Sequence, residues 1–328
     1  MSWLVTGGCG FIGTSLISHL LGQNAPVIRV LDNLSVGLRE HLAAMAAFRE
    51  IAHASIGGAP RGVELVVGDV RDAACCNAVC EGIETVVHLA ANTGVAPSVD
   101  NPRQDFEPNV IGTFNMLEAS RRCKVRNFIF ASSGAPVGEV EPPITEDKAP
   151  RPLSPYGASK LAGEGYCSAY FRSYGVRTVA LRFGNVYGPR SHHKNSIVAK
   201  FFRQAMRGEP LEIYGDGNQT RDFLFIDDLV QAIMLSVRAG IGGEIFQIAT
   251  SIETSVNEIA DLIRGMVETH TRRNVAVNRV QPRIGDVRRN VSDISKARHL
   301  LGYRPAFDIR TGLRATFEYF KHQMAVPL

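Results

Sequence analysis

Val5-Thr6-Gly7-Gly8-Cys9-Gly10-Phe11-Ile12-Gly13 places glycines at 7, 10 and 13 between a short apolar run, Ser2–Thr6, and a stretch with helical spacing, Phe11–Leu21. Glycine permits the tight turn, lets a backbone approach a pyrophosphate, and lets a helix pack on a strand. The helix N-terminus then offers free N–H groups and a partial positive charge to phosphates. Such a triplet alone is weak evidence, so its surroundings decide. Pro26–Leu31 is a β-branched run that ends at Asp32, 19 residues after Gly13. An acidic side chain there accepts hydrogen bonds from a ribose diol and repels a 2′-phosphate, which favours NAD over NADP. Arg39, nearby, reads as part of a solvated helix face.

Outward from this loop the pattern repeats. Val63–Val67 leads into Gly68-Asp69-Val70, which suits an adenine edge, and Thr85–His88 leads into Leu89-Ala90-Ala91. Glu107–Arg122 has helical spacing and Asn127–Ala131 is a further buried strand. Short apolar strands between amphipathic helices predict an α/β fold, a doubly wound parallel sheet of the Rossmann type. After Lys148 the texture changes. Ser154–Tyr174 reads as one long helix capped by Ser154, Val176–Phe183 as a strand, and Ile197–Arg207 as a helix. Leu211–Tyr214 reads as a strand before a Gly-Asp-Gly-Asn turn. Helices are expected at Asp227–Arg238, Ser255–Val267 and Thr311–Lys321, with Asp227–Ile248 returning to the sheet. The expected division is a dinucleotide domain of residues 1–183 and 223–250, interleaved with a smaller C-terminal lobe of 184–222 and 251–328.

Composition narrows the class. The chain has 328 residues, 45% apolar and 21% charged, which excludes disordered and fibrous architectures. No apolar run approaches the ~18 residues of a membrane span, and no basic leader precedes the first strand, so a soluble cytoplasmic protein is expected. A net charge of +4 is too mild to argue for nucleic acid. The six cysteines show no C-x-x-C pair; the cluster at Cys75, Cys76 and Cys80 reads as packed free thiols, and no metal is expected.

Two further groups carry chemistry. Tyr156 and Lys160 have Y-x-x-x-K spacing, which puts a phenol and an ammonium on one helix face. A catalytic phenolate at neutral pH needs the Tyr pKa to fall from ~10 to ~7, about 4 kcal/mol. A Lys charge ~4 Å away at an effective dielectric of ~20 supplies about that much, and an oxidised nicotinamide adds more. Ser133 follows a buried strand at the carboxyl edge of the sheet, where it can bond a substrate hydroxyl.

Together these landmarks resemble the extended short-chain dehydrogenase/reductase family and, within it, the nucleotide-sugar 4-epimerases. They are the glycine loop, Leu31-Asp32-Asn33-Leu34, Gly68-Asp69-Val70-Arg71, His88-Leu89-Ala90-Ala91, Ser132-Ser133, Tyr156-Gly157-Ala158-Ser159-Lys160, and Leu181-Arg182-Phe183-Gly184-Asn185-Val186-Tyr187-Gly188-Pro189. The resemblance implies bound NAD lined by Gly7, Gly10, Phe11, Ile12, Gly13, Asp32, Asn33, Asp69, Val70, Leu89, Ala90, Ala91, Asn109 and Phe183. Tyr156 would be the acid/base, Lys160 would bond the nicotinamide ribose, and Ser133 would assist the sugar hydroxyl. For a UDP-sugar substrate it implies Asn185 at the diphosphate, Tyr214 against the base, Ile197 beside them, and Arg221 and Arg283 on phosphates and ribose.

The resemblance also bears on the reaction. Family dehydratases carry an Asp-Glu pair after the serine, because expelling water needs an acid and a base beyond the tyrosine. Gly134 and Ala135 stand there, so epimerisation at C4 through a 4-keto intermediate fits best. A reductase of 4-keto nucleotide sugars and a non-catalytic NAD-binding regulator are the competing readings. Asn290 falls where a residue lines the sugar's 2-substituent; a group smaller than tyrosine there favours 2-acetamido sugars beside plain hexoses. Pro136-Val137 and Asn92-Thr93 depart from the common family pattern beside the sugar. Between Arg264 and Arg298 nine Lys/Arg face three Asp/Glu, a local +6 that points to a diphosphate. Related enzymes are commonly homodimers, through helices corresponding to Glu107–Arg122 and Ser154–Tyr174.

Overall fold

The strands are β1 (Ser2–Thr6), β2 (Val27–Asp32), β3 (Arg49–Glu50), β4 (Val63–Val67), β5 (Thr85–His88), β6 (Asn127–Ser133) and β7 (Arg177–Phe183) in the first half of the chain. Then come β8 (Val186–Tyr187), β9 (Leu211–Tyr214), β10 (Thr220–Arg221), β11 (Leu224–Phe225), β12 (Glu244–Gln247), β13 (Thr254–Ser255) and β14 (Val277–Val280). This is a computed structural model, and it describes residues 1–23, 27–282 and 287–324. Eight strands form one parallel sheet in the order β12-β7-β6-β5-β1-β2-β4-β3. Its central strands are buried along nearly their whole length, as a sheet covered on both faces requires. The remaining strands pair in twos: β11 with β8, β10 with β13, β14 with β9.

The sheet builds away from β1 in one direction through β2 and β4, then in the other through β5, β6 and β7. The crevice between the carboxyl ends of β1 and β5 is therefore its topological switch point, where open α/β sheets bind ligands. Register aligns the functional ends: Thr6 pairs with His88, His88 with Phe130, and Ser133 with Phe183.

Helix boundaries follow local chemistry. The long helix is Pro155–Tyr174; the Ser154 hydroxyl accepts from the Gly157 amide at 3.1 Å, proline occupies its first turn, and Gly175 ends it at φ 72°. Asp72 caps the helix Ala73–Val79, its carboxylate accepting from the Ala74 and Cys75 amides. Two features depart from the sequence reading. The helix expected over Glu107–Arg122 is α-helical only from Gly112; Glu107–Ile111 is a π-helical turn. The segment before it forms two short helices, Val95–Asp100 and Pro102–Phe106, whose length is too small to leave a periodic pattern. Pro26, expected to open the second strand, lies outside the described residues.

Two buried ion pairs fix the sheet from its sides. Arg29 reaches Glu64 at 3.2 Å while its other N–H groups donate to the carbonyls of Gly58, Val79 and Glu81. Arg182 forks onto Glu164 with two contacts of 2.7 Å, joining β7 to the long helix, and Ser132 donates to the same carboxylate at 2.6 Å. Removing one partner of such a pair strands a buried charge, whereas the intact pair is nearly neutral against an apolar replacement. Cys9, Cys75, Cys76, Cys80 and Cys167 are buried and Cys123 half-buried, all as free thiols. Burial pushes the Cys9 thiol up to about 12 and Cys75 to about 11, which makes them poor nucleophiles. Among the described residues no helix is long and apolar enough to cross a membrane.

Candidate functional site

At the switch point the three glycines have separate duties. Gly7 has φ 67°, and a Cβ on it would lie 2.9 Å from the Ala90 amide nitrogen. A Cβ on Gly13 would lie 2.5 Å from the Gly7 carbonyl, so the helix Phe11–Leu21 reaches the strand only because that atom is missing. Gly10 is different: its virtual Cβ meets only the Gly7 carbonyl at 3.3 Å, leaving its outer side open. Gly10 is also the N-cap of that helix, without a side-chain cap, so the amides of Phe11 and Ile12 point outward with the positive end of the helix dipole.

Asp32 is buried, and its carboxylate accepts from the Cys9 and Leu34 amides at 2.9 Å each. Burial raises its pKa and the two amides pull it back. A carboxylate has about four acceptor positions, so two remain for a diol. Beside it Asn33 donates to Asp69, and Arg71 grips the same carboxylate with its side chain and backbone amide. The Asp69 carboxyl is thereby held down at about 2, chiefly by the Arg71 hydrogen bonds. Val70 is buried below. Leu89, Ala90 and Ala91 are half-buried opposite the glycine loop, and Thr6 Oγ1 takes the amides of Leu89 and Ala90 at 3.2 and 3.1 Å. The open face over Gly10, the uncapped helix end and a carboxylate with spare acceptors fit a dinucleotide.

The Tyr156 side chain is half-buried and close enough to Ser133, the last residue of β6, for the serine to stabilise its phenolate. Ser133 Oγ also accepts from the Ala135 amide at 3.2 Å. Lys160 is buried; its Nζ donates to the Ala131 carbonyl at 2.9 Å and lies 5.9 Å from the Tyr156 ring centre. Here the structure corrects the sequence reading. The phenol is not lowered by the lysine: burial pushes its pKa up, the Ser133 hydrogen bond opposes the rise, and the Asp105 carboxylate adds to it. Burial also brings Lys160 down to about 8. Desolvation penalises phenolate and ammonium alike, and the ammonium's hydrogen bond goes to the backbone.

Around this pair lies a network in which, from sequence, only Asn109 had been given a role. Asn109 donates to Asp105, Ser159 and the Asn92 carbonyl and accepts from the Asn92 amide. Asp105 is 1% exposed, with one carboxylate oxygen bonded by no protein group among the described residues. His88 bridges Thr6 and Thr113 at 2.8 and 3.1 Å, and burial keeps it neutral, with its pKa lowered to about 3. The i, i+4 spacing of Asp105 and Asn109 could have pointed to Asp105, but the π turn between them hides it.

The substrate-side residues are more dispersed. Phe183 is half-buried at the end of β7, and Asn185 sits at φ 50° one residue before β8. Ile197 opens the helix Ile197–Arg207, and Lys200 of that helix places its ammonium 5.0 Å from the Tyr214 ring. Arg221 is half-buried in β10, donating to the Thr220 carbonyl, and Asn290 is half-buried beside Val291. Arg283 lies outside the described residues. Several cations of the C-terminal run are held in ion pairs. Arg288 pairs with Asp216, Arg289 with Glu253 and Glu141, Arg264 with Asp261 and Glu268, and Lys296 with Glu244. Most of the local +6 is neutralised by acids brought in from other segments.

Residues 3–249 match the model of the NAD dependent epimerase/dehydratase family. The chain belongs to that family. NAD is its cofactor, and when bound it supplies the hydride acceptor and donor and a positively charged ring. The chain is 35% identical over 334 residues to the UDP-glucose 4-epimerase of Mycolicibacterium smegmatis, covering 98% of this chain and 99% of the relative. It is 30% identical over 347 residues to dTDP-glucose 4,6-dehydratase 1 of Escherichia coli, covering 98% and 92%. The UDP-glucose 4-epimerase of Thermotoga maritima, solved with UDP-glucose, superposes with a TM-score of 0.87 at 35% identity, covering 99% of this chain and all of that one.

Proposed function

We propose that the protein is a UDP-sugar 4-epimerase, inverting C4 of a UDP-hexose or UDP-N-acetylhexosamine through a 4-keto sugar. The observation that carries this reading is the pair of side chains directly after Ser133. Gly134 has nothing within 4 Å of its virtual Cβ, and Ala135 bonds only through its backbone, its amide to Ser133 and its carbonyl to the Gly138 amide. Neither position can move a proton, as elimination of water across C5 and C6 would require. Asp105, whose charge the phenol senses, is buried and held by Asn109.

Tyr156 holds and returns the proton of the 4-hydroxyl, and Ser133 orients that hydroxyl toward the phenol. Lys160, anchored by Ala131, carries its charge beneath the site and bonds the nicotinamide ribose. The glycine loop and Asp32 hold the dinucleotide; Asn185, Ile197, Tyr214, Arg221 and Asn290 line the UDP-sugar. The overall reaction is redox-neutral, so the cofactor is retained through the cycle. The test is incubation of the purified protein with a UDP-hexose panel, without added cofactor, followed by NMR. Interconversion at C4 with no net NADH is expected. Absence of conversion, or turnover only with stoichiometric NADH, overturns the reading.

The working form is a cytoplasmic homodimer joined through the helices Gly112–Arg122 and Pro155–Tyr174. Phe114 and Tyr166, one on each helix, lie edge to face at 5.6 Å and are 38% and 41% exposed, a shared apolar patch at the surface. Light scattering is expected to give twice the chain mass, and Phe114→Asp to give the single chain; a monomeric wild type overturns the assembly.

A further inference from the structure

Three imidazoles meet on the outer side of the glycine loop, away from Tyr156. His41 belongs to the short helix Arg39–Ala43, while His192 and His193 lie in the loop after β8. One potential ligand nitrogen from each lies within 4.8 Å of the other two, and all three rings are half-buried. The His41 and His193 rings stack at 5.1 Å, and His192 stands edge-on to His193 at 5.4 Å.

Their nitrogens lack protein partners. Both ring nitrogens of His193 and Nδ1 of His192 are buried without a hydrogen bond among the described residues. A buried, unsatisfied polar nitrogen costs on the order of 1–3 kcal/mol, and three at one place call for a common partner. Nδ1 of His41 sits 3.1 Å from the Cys9 carbonyl and 3.3 Å from the Leu38 amide. An ion on Nε2 selects the tautomer whose Nδ1 donates to Cys9, the usual second contact of a ligating histidine.

The loop is held for the purpose. One Arg203 guanidinium donates to the carbonyls of His192 and Lys194 and to the Asn195 side chain, and Ser191 Oγ closes onto the Gly188 carbonyl at 2.6 Å. Arg190 ties the same loop to Ser18 and Met45. Tyr319 and Phe320 cover His192 from the C-terminal helix.

We propose that His41, His192 and His193 form a binding site for one divalent transition-metal ion, zinc by preference. Three imidazoles without a carboxylate suit zinc, nickel or copper and do not suit the oxygen-seeking magnesium and calcium. Zn–N bonds of about 2.0–2.1 Å in a tetrahedron separate ligand nitrogens by about 3.3 Å, so modest ring rotations close the set. The ion ties the helix Arg39–Ala43 and the loop after β8 to the back of the glycine loop through His41 and Cys9. The neighbouring Arg203 and Lys194 charges limit affinity but do not enter the ligand set.

The test uses the full chain without an affinity tag, stripped with chelator. Titration calorimetry with ZnCl2 is expected to show one equivalent bound, and CoCl2 to give the visible bands of a four-coordinate site with three imidazoles and a water. His193→Gln and His41→Gln are each expected to weaken zinc binding more than about 10-fold. No binding by the wild type, or undiminished binding by both variants, overturns the proposal. Should the variants fail to fold, ring-nitrogen NMR of the wild type decides. Zinc is expected to shift three of the nine histidines, and shifts in none, or only in others, refute the site.

Discussion

Lys160 Nζ lies 5.9 Å from the centre of the Tyr156 ring, yet its hydrogen bond goes to the Ala131 carbonyl at 2.9 Å. The two side chains share a helix face, but the lysine is committed to the strand beneath. The phenol's proton is therefore governed by Ser133, by burial and, once bound, by the cofactor's charge.

Tyr156→Phe keeps the ring and its packing and removes the proton-bearing oxygen. Turnover is expected to fall by about 10²–10⁴-fold, the usual contribution of one acid/base group. UDP binding, measured by calorimetry, is expected to stay within a few-fold. A variant with near-normal turnover refutes the role given to Tyr156.

Lys160 has its pKa brought down to about 8 in the folded protein, from 10.5 when exposed. Between those values the unfolded chain binds a proton that the folded one does not, so this residue makes stability rise with pH. At 1.36 kcal/mol per unit, going from pH 7 to pH 10 changes its contribution by about 2 kcal/mol. Urea unfolding of the wild type and Lys160→Met at both pH values isolates it. The difference between them is expected to move toward the wild type as pH rises; a pH-independent difference contradicts this.

Asp32→Ala removes a carboxylate that holds the Cys9 and Leu34 amides and stands ready for a ribose diol. Charge-assisted hydrogen bonds contribute about 1.5–3 kcal/mol, so NAD affinity is expected to drop about 10- to 100-fold. The preference for NAD over NADP is expected to shrink with it. Competition binding with the two dinucleotides measures both.

Gly13→Ala puts a methyl group where the nearest atoms are backbone, at 2.5 Å, with no flexible side chain to yield. A loss of about 1–3 kcal/mol in urea unfolding is expected, together with reduced NAD content in the purified protein. Gly134→Ala meets nothing within 4 Å and serves as the control, expected to leave stability unchanged.

The dinucleotide half was legible because its signals are local. The runs at Ser2–Thr6, Val63–Val67 and Thr85–His88 are apolar and bounded by turns, and the observed strands have the same limits. Spacing and position singled out Tyr156, Lys160 and Ser133 as candidates, but not the direction of the Lys160 ammonium, because it depends on the Ala131 carbonyl in β6. The smaller lobe was harder. Strands such as Thr220–Arg221 and Leu224–Phe225 are two residues long and leave no alternation to detect. The ion pairs of the run between Arg264 and Arg298 were not legible, because counter-ions such as Asp216 and Glu253 are distant in the chain. The three histidines escaped notice for the same reason.

The π-helical turn at Glu107–Ile111 makes the site depend on a count of residues as well as on their kinds. Each residue added to or taken from a helix rotates the rest of it by about 100°. Deleting one residue there, with every named side chain kept, would swing Asn109 away from Ser159 or turn Met116 and Leu117 out of the core. Insertions and deletions in this turn should thus be excluded among functional relatives even where substitutions are allowed. The spacing from Asp105 to Gly112 thereby becomes a fixed length.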